Sequence, residues 1–247
     1  MLPAPRSLVL LLALAATGCG GGRAFSEADQ EISTSALRTH LRALAEPLVP
    51  LDSAEVADRA RYAAGRMRAI GMMPVLDGSF LLRASGATGP VPDPSQAHVL
   101  GYIAGRHPSY ADELVLVAAS LESAEGSAVL EAARVLTEEA RFTQTPERSV
   151  LVALWSPSRP EAAGLEDYLA RPTWTLGRTH RVLVVAADTA AARASRDLLS
   201  DRGVASERVT VPPGSLGAVL VRDAEALRAV RLTEAVLARA RAATASD

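Results

Sequence analysis

Short apolar runs alternate with stretches of helical periodicity along most of the chain. Each run is nearly continuous in apolar residues, a pattern typical of strands that are buried on both faces of a sheet. Strands that alternate with helices in this way predict an α/β fold, a three-layer sandwich with a mostly parallel central sheet and helices on both faces. The predicted strands cover residues 98–104, 113–119, 150–155, 181–187 and 216–221.

The predicted helices show apolar residues at spacings of three and four, and one of them carries clear signals at both ends. Asp52 and Glu55 have the spacing of a capping box at its start, and Gly71 offers a C-terminal cap. A turn and a short strand are expected over 74–82. The other predicted helices cover residues 35–45, 124–141, 161–170, 190–202 and 224–243.

The strand pattern also indicates where a ligand would bind. In open parallel sheets, ligands bind at the carboxyl ends of the strands. The residues that follow Ala119, Trp155, Ala187 and Val221 are therefore the first to consider.

The first 18 residues predict a secretory signal peptide. Arg6 precedes an apolar stretch at 7–16 that is too short for a transmembrane helix. The stretch leads to small residues before Cys19, where the sequence resembles a bacterial lipobox with Ala16 in the place of the more usual leucine. Because Cys19 is the only cysteine, no intramolecular disulfide is possible, and lipid attachment explains it better than redox chemistry. The alternative is an ordinary secreted protein in which this cysteine has no special role.

Acyl chains such as palmitate on Cys19 would hold the protein at a membrane, since each buried methylene contributes about 0.8 kcal/mol. The predicted organisation is a signal peptide over 1–18, a lipidated cysteine with a flexible tether over 19–34, and one α/β domain over 35–247. The expected location is the cell envelope, lipid-anchored and extracytoplasmic, at the periplasmic or outer-surface face.

Charge excludes one class of partner. The chain has 26 basic and 28 acidic side chains and a formal net charge of -2, which gives no sign of a nucleic-acid surface. The expected partners are the membrane and a peptide or protein.

The order of the segments resembles metallopeptidase family twenty-eight, the co-catalytic zinc aminopeptidases related to leucyl aminopeptidase and glutamate carboxypeptidase. No one segment is specific, and their shared order carries the resemblance. It implies a zinc-exopeptidase fold in a truncated and degenerate member. The similar segments are 37–44, 64–74, 98–105, 114–123, 127–136, 150–169 and 223–240.

The resemblance implies a two-zinc site, but its first ligand positions are changed in this chain. Such a site needs a bridging carboxylate, further nitrogen and oxygen ligands, and a carboxylate base. The family's first histidine and aspartate fall on Ser120 and Glu122. The loop that carries the bridging aspartate is shortened, and Glu125 is the one residue that would replace it.

The remaining ligand positions are changed as well. The family's pair of glutamates falls on Ser158 and Arg159 when Gly164 is kept in register. Asp188 alone is left at a ligand position, and no histidine after His180 supplies the last one. We therefore expect no catalytic residue and no cofactor. Glu122 and Asp188 are then vestigial carboxylates, or else they hold one weak ion.

Other side chains that would rebuild a site have simpler explanations. Glu161 and Glu166 lie near the start of a predicted helix, where acidic residues favour the helix dipole. Trp155 and Trp174 would line a cleft or, more commonly, belong to the core. The four histidines are far apart in the sequence, and each is expected to be a surface or capping residue rather than a ligand; they are His40, His98, His107 and His180.

The leading hypothesis is a pseudoenzyme, a membrane lipoprotein whose peptidase-like domain binds a peptide or protein in the old substrate cleft or on its outer helices. The alternative is a metal-dependent exopeptidase that uses Glu122, Asp188 and a further ligand, with zinc as cofactor. A decaying paralogue without retained function is the third possibility. Zinc content separates the first two, because the exopeptidase needs a metal-activated water.

Overall fold

The computed structural model describes residues 32–46, 52–75, 78–84, 93–142, 145–156, 161–174, 176–186, 189–210 and 221–245. The predicted signal peptide and Cys19 lie outside these ranges. Within them, no helix combines the length and the apolar character needed to cross a membrane.

The first two helices begin and end at residues suited to these positions. Helix α1 spans Thr34–Leu44, and the hydroxyl oxygen of Ser33 caps it by accepting a hydrogen bond from the backbone N–H of Ala36. Helix α2 spans Ser53–Ile70. The predicted capping box is present, since Asp52 and Glu55 each accept a hydrogen bond from the other's backbone N–H, at 2.9 and 3.2 Å. Gly71 ends α2 with a φ of 86°, in the left-handed region that glycine adopts readily.

A seven-stranded sheet forms the middle layer of the domain. Its strands in chain order are β1 (Met73–Pro74), β2 (Leu81–Arg83), β3 (Ala97–Ile103), β4 (Leu114–Ser120), β5 (Ser149–Trp155), β6 (Thr179–Val185) and β7 (Ser206–Val209). Strands β5, β4, β6 and β7 lie side by side in that order and run parallel. Strand β3 pairs antiparallel with β5, so the start of β3 lies beside the end of β5. Strands β1 and β2 pair with the other side of β3.

Helices cover both faces of this sheet, as the sequence pattern predicts. The remaining helices are α3 (Ala124–Phe142), α4 (Glu161–Ala170), α5 (Thr189–Ser200) and α6 (Val221–Thr244). Along β4, Val115 and Val117 belong to the core shared with α2, α3 and α6, whereas Leu114 and Leu116 belong to the core shared with α4 and α5. Because successive side chains of a strand point to opposite faces, this division confirms the three-layer sandwich.

One strand prediction is wrong at its last residue, and one strand is missing from the prediction. Val221 is the first residue of α6 rather than the last residue of a strand, and the rest of that predicted strand lies outside the described residues. Strand β7 was not predicted, because Glu207 and Arg208 are half-buried in this edge strand and interrupt any apolar run. Strand β3 is buried like its parallel neighbours, and for that reason its sequence does not reveal that it runs in the opposite direction.

Candidate functional site

The carboxyl ends of three parallel strands define the candidate site. Strands β4, β5 and β6 end at Ser120, Trp155 and Val185, and Ser120 lies directly opposite Trp155 in the sheet. Since β3 is antiparallel to β5, its second residue, His98, lies at this same edge. This is the edge at which open α/β sheets bind ligands.

The connection from β4 to α3 is a tight turn of three residues. The Ser123 hydroxyl donates a hydrogen bond to the carbonyl oxygen of Ser120 and accepts one from the backbone N–H of Gly126, each at 2.9 Å. Gly126 also approaches the strand end so closely that an added Cβ would lie 2.4 Å from the Ser120 carbonyl oxygen. The turn therefore contains no extra residues that would bring a bridging carboxylate over the end of β4.

Glu122 lies in this turn and has an unusual environment. Its Oε1 atom is buried and has no hydrogen-bond partner among the described residues. Burial raises the pKa of the Glu122 carboxyl, the positive charge of Arg59 lowers it, and Glu55 raises it further. A raised carboxyl pKa opposes the charged form that a zinc ligand must adopt.

Glu125, the possible replacement for the bridging carboxylate, is paired with a cation of the protein itself. It lies in the first turn of α3 and is nearly buried, with its Oε1 atom 3.7 Å from Nη2 of Arg228 on α6. An arginine at this distance supplies the positive charge that a bridging metal pair would otherwise provide.

His98 is buried at the site edge, so the prediction that it is a surface or capping residue is wrong. Its Nδ1 atom accepts a hydrogen bond from the backbone N–H of Ser156 at 3.1 Å. The proton is therefore on Nε2, which donates to Oδ2 of Asp167 on α4 at 3.2 Å. The ring also meets Trp155 edge to face, with centroids 5.3 Å apart. His98 thus links the start of β3, the end of β5 and α4.

Asp167 is not among the site residues that the sequence predicts. It lies between Leu165 and Tyr168 on the buried side of α4, and it is itself buried. An acidic residue at a buried position of a helix is a signal that it has a polar partner. That partner is 69 positions away in the sequence, which is why the pattern of α4 alone does not identify it.

His40 is also buried rather than exposed. It lies on α1, whose sequence is remote from the residues at the strand ends. Its Nδ1 atom is 2.7 Å from the Tyr62 hydroxyl, and its Nε2 atom is 3.9 Å from the Glu131 carboxylate. Burial lowers the pKa of His40 to about 4, helped by the positive charges of Arg66 and Arg134. His40 is therefore neutral at pH 7 and joins α1, α2 and α3.

The other two histidines are half-buried near the opposite, amino edge of the sheet. His107 stacks on Tyr110 and its Nδ1 atom accepts from the backbone N–H of Ser109, a local capping role of the kind predicted. The Nδ1 atom of His180 is 3.8 Å from the Glu113 carboxylate. The structure thus divides the four histidines among three parts of the domain.

The two tryptophans have different roles. Trp155 is buried in the core, where Gly164 packs so tightly that a Cβ on Gly164 would lie 2.6 Å from the Trp155 side chain. Trp174 is half-buried near the amino edge, where its indole N–H donates to the carbonyl oxygen of Asp112 at 2.7 Å. Neither tryptophan lines an open cleft at the carboxyl edge in the described part of the chain.

Small and apolar side chains fill the space where the three parallel strands end. The described residues leave there a cavity of about 10 Å³, enough for roughly one water molecule. Its lining includes Ala119, Ser120, Trp155, Leu165, Ala186 and Ser195.

The described residues do not fit a two-zinc centre. Across the described ranges, no group of three histidine, cysteine, aspartate or glutamate side chains is placed to hold a metal ion. Glu166 is exposed on α4, and Glu161 is its first residue. Ser158, Arg159 and Asp188 lie outside the described residues, and their assignment stays a prediction from the sequence.

Comparisons with known proteins show the fold. No family model matches the sequence. No curated protein matches it either. Among solved structures, the LapA aminopeptidase of Legionella pneumophila is similar with a TM-score of 0.51 and 9% identity, over 90% of this chain and 75% of LapA. A glutaminyl cyclase of Porphyromonas gingivalis has a TM-score of 0.46 and 10% identity, over 88% of this chain and 99% of the cyclase. A peptidase precursor of metallopeptidase family twenty-eight from Shewanella amazonensis has a TM-score of 0.35 and 17% identity, over 60% of this chain and 44% of the precursor.

The likeness to LapA, together with the sheet described above, defines the class: the chain has a peptidase-like domain with the zinc-exopeptidase fold. At this level of identity the likeness extends to the fold alone.

Proposed function

We propose that this protein is a lipid-anchored lipoprotein of the cell envelope whose peptidase-like domain binds a peptide or protein without hydrolysing it. The observation that carries the proposal is the pairing of Glu125 with Arg228 at the carboxyl edge of the sheet. A two-zinc peptidase needs an unpaired carboxylate between its ions, whereas Glu125 lies beside a guanidinium.

The tight turn after β4 supports the same conclusion. Gly126 and Ser123 hold α3 against the Ser120 carbonyl oxygen, so the turn occupies the place of a longer metal loop. Among the described residues, small and apolar side chains fill the space at the end of β4, which leaves no room there for a pair of metal ions.

The competing function is that of an exopeptidase with a rearranged or single-metal site. The orphaned Oε1 atom of Glu122 favours it, because a buried acceptor without a partner is a position where a cation would be stabilised. Asp188 would be its second ligand.

Zinc stoichiometry tests the two functions. The full chain, purified in detergent, is incubated with excess zinc, passed through gel filtration and analysed for its metal content. We expect less than about 0.1 zinc per chain. This result would exclude the metallopeptidase, because hydrolysis of this type requires a metal-activated water. One or two ions that are lost in both Glu122→Gln and Asp188→Ala would instead establish the metallopeptidase, and Glu166→Gln serves as the exposed control.

The anchor is tested separately. Cells that express the full chain are fed an alkyne analogue of palmitate, and the purified protein is labelled through the alkyne. Label on the natural chain and none on Cys19→Ala is the expected result. Equal labelling of both chains, or of neither, would contradict the anchor.

A further inference from the structure

A cavity of about 190 Å³ lies beside the ends of β6 and β7, between the start of α3 and helix α6. It is at the carboxyl edge of the sheet but is distinct from the filled space at the end of β4. Its lining divides into an apolar part and a charged part. Three buried side chains form the apolar part: Ala186, Val209 and Leu232.

Among the described residues that line the cavity, Arg208 and Arg228 are positively charged and Glu125 carries the one negative charge. Arg208 is held in place because its Nε atom donates to the carbonyl oxygen of Ala186 at 3.3 Å. A fixed guanidinium loses little side-chain entropy when it binds an anion.

Arg228 is less firmly held. Its Nη2 atom is 3.7 Å from Glu125 Oε1, which is beyond hydrogen-bond distance, and its side chain is 47% exposed. The guanidinium of Arg228 therefore keeps N–H groups that can donate to an anion in the cavity while it stays beside Glu125.

We propose that this cavity binds a carboxylate carried on a small apolar group, as at the C-terminus of a peptide. The two guanidiniums bind the carboxylate and the apolar lining takes the adjoining side chain. The inference deepens the proposed function, on which it rests, by naming the part of a peptide that the domain recognises.

Glu125 acts in this arrangement as a competitor of the ligand. Its carboxylate neutralises part of the positive charge of Arg228 before the ligand arrives. Removal of that negative charge must therefore strengthen carboxylate binding, whereas removal of either guanidinium must weaken it. Opposite effects of neighbouring substitutions distinguish this role from a general loss of structure.

The test uses two fluorescent peptides that end in Ala-Ala-Val, one with a free carboxylate and one with a C-terminal amide. Each is titrated with the full chain in detergent, and binding is measured by fluorescence anisotropy at low salt. We expect the acid to bind about tenfold more tightly than the amide, and the preference to fall as salt screens the charges. Arg228→Gln and Arg208→Gln should remove the preference, and Glu125→Gln should increase it.

Arg61→Gln is the matched control, because Arg61 pairs with Asp58 on the exposed side of α2. Circular dichroism checks that all four variants keep the fold. A titration with N-acetylvaline separates two sources of the same group: comparable affinity for both ligands indicates a free small acid, and a clear preference for the peptide indicates a peptide C-terminus.

Equal affinity for the acid and the amide, no binding of either, or equal effects of Arg228→Gln and Arg61→Gln would each overturn the cavity assignment. Equal affinity at a measurable level leaves peptide binding intact, so the proposed function survives that outcome. Mass spectrometry of the peptide after the titration tests the proposed function itself, since shortened peptide would show hydrolysis.

Discussion

Gly126 in the first turn of α3 is in direct backbone contact with Ser120 at the end of β4, so that a Cβ on Gly126 would lie 2.4 Å from the Ser120 carbonyl oxygen. Real Cβ atoms do not approach a carbonyl oxygen this closely, and neither backbone segment is free to move, because the Ser123 hydroxyl ties them together. The shape of the candidate site thus depends on one glycine.

Gly126→Ala should therefore lower the free energy of unfolding by about 1–3 kcal/mol, since overpacking forces the backbone to shift. Gly65→Ala is the control: Gly65 is an exposed residue in the middle of α2 with no atom within 4 Å of an added Cβ. It should raise stability by up to about 1 kcal/mol through helix propensity. Urea unfolding measures both. Equal stability of the two variants would show that the contact at Ser120 is not as tight as described.

The pair of His98 and Asp167 leads to a second prediction. Asp167→Leu removes the acceptor of a buried hydrogen bond and should lower the free energy of unfolding by about 1–3 kcal/mol. Asp167→Asn keeps an acceptor oxygen and should have a smaller effect. Glu166→Gln, at the exposed neighbouring position, should change stability by less than about 0.5 kcal/mol. Thermal unfolding of the three variants under one buffer condition checks the order, and an unaffected Asp167→Leu protein would contradict it.

The secondary structure of this domain is largely predictable from its sequence. Hydrophobic periodicity and the capping box at Asp52 identify strands β3 to β6 and the helices well, because those elements bury long apolar faces. Strand β7 is not predicted, because the half-buried Glu207 and Arg208 give its sequence the polar character of a loop. Local pattern predicts elements when burial dominates and fails at a polar edge.

The candidate site is less predictable because its residues meet through the fold. His98 lies at the start of an apolar run, and the sequence does not identify its partner. Only the packing of α4 against the sheet places Asp167 beside it. The pairing of Glu125 with Arg228 depends in the same way on the packing of α3 against α6. Tertiary pairs of this kind leave no periodic signal.

A third prediction concerns pH. The folded protein keeps the pKa of His40 at about 4, below the usual value of 6.5, so the unfolded chain binds a proton more readily between these values. The contribution of His40 to the free energy of unfolding is therefore fully present above pH 6.5 and is lost as the pH is lowered toward 4. Between pH 7 and pH 5 the loss from this residue should be about 2 kcal/mol.

The measurement is the difference in pH dependence between the natural chain and His40→Gln, by urea unfolding at pH 7 and pH 5. The variant should lack this part of the loss, because glutamine does not titrate. Arg42→Gln, on the exposed side of the same helix, should retain the full loss. If His40→Gln and Arg42→Gln lose stability equally, His40 does not carry the effect.

The fourth prediction uses Glu122 to connect stability with metal binding. Burial raises the pKa of the Glu122 carboxyl, so its ionised form is disfavoured in the folded protein. The stability that this group contributes is present at low pH. It is lost as the pH rises from the pKa of the unfolded chain toward the higher pKa of the folded protein. Glu122→Gln removes this disfavoured charge, so it should raise the melting temperature at pH 7 and give no such gain at pH 4. Added zinc should leave the melting temperature of the natural chain unchanged, because a ligand stabilises only the state that binds it. A zinc-dependent rise that disappears in Glu122→Gln would reverse the conclusion, since the orphaned Oε1 atom would then be a metal ligand rather than a remnant of one.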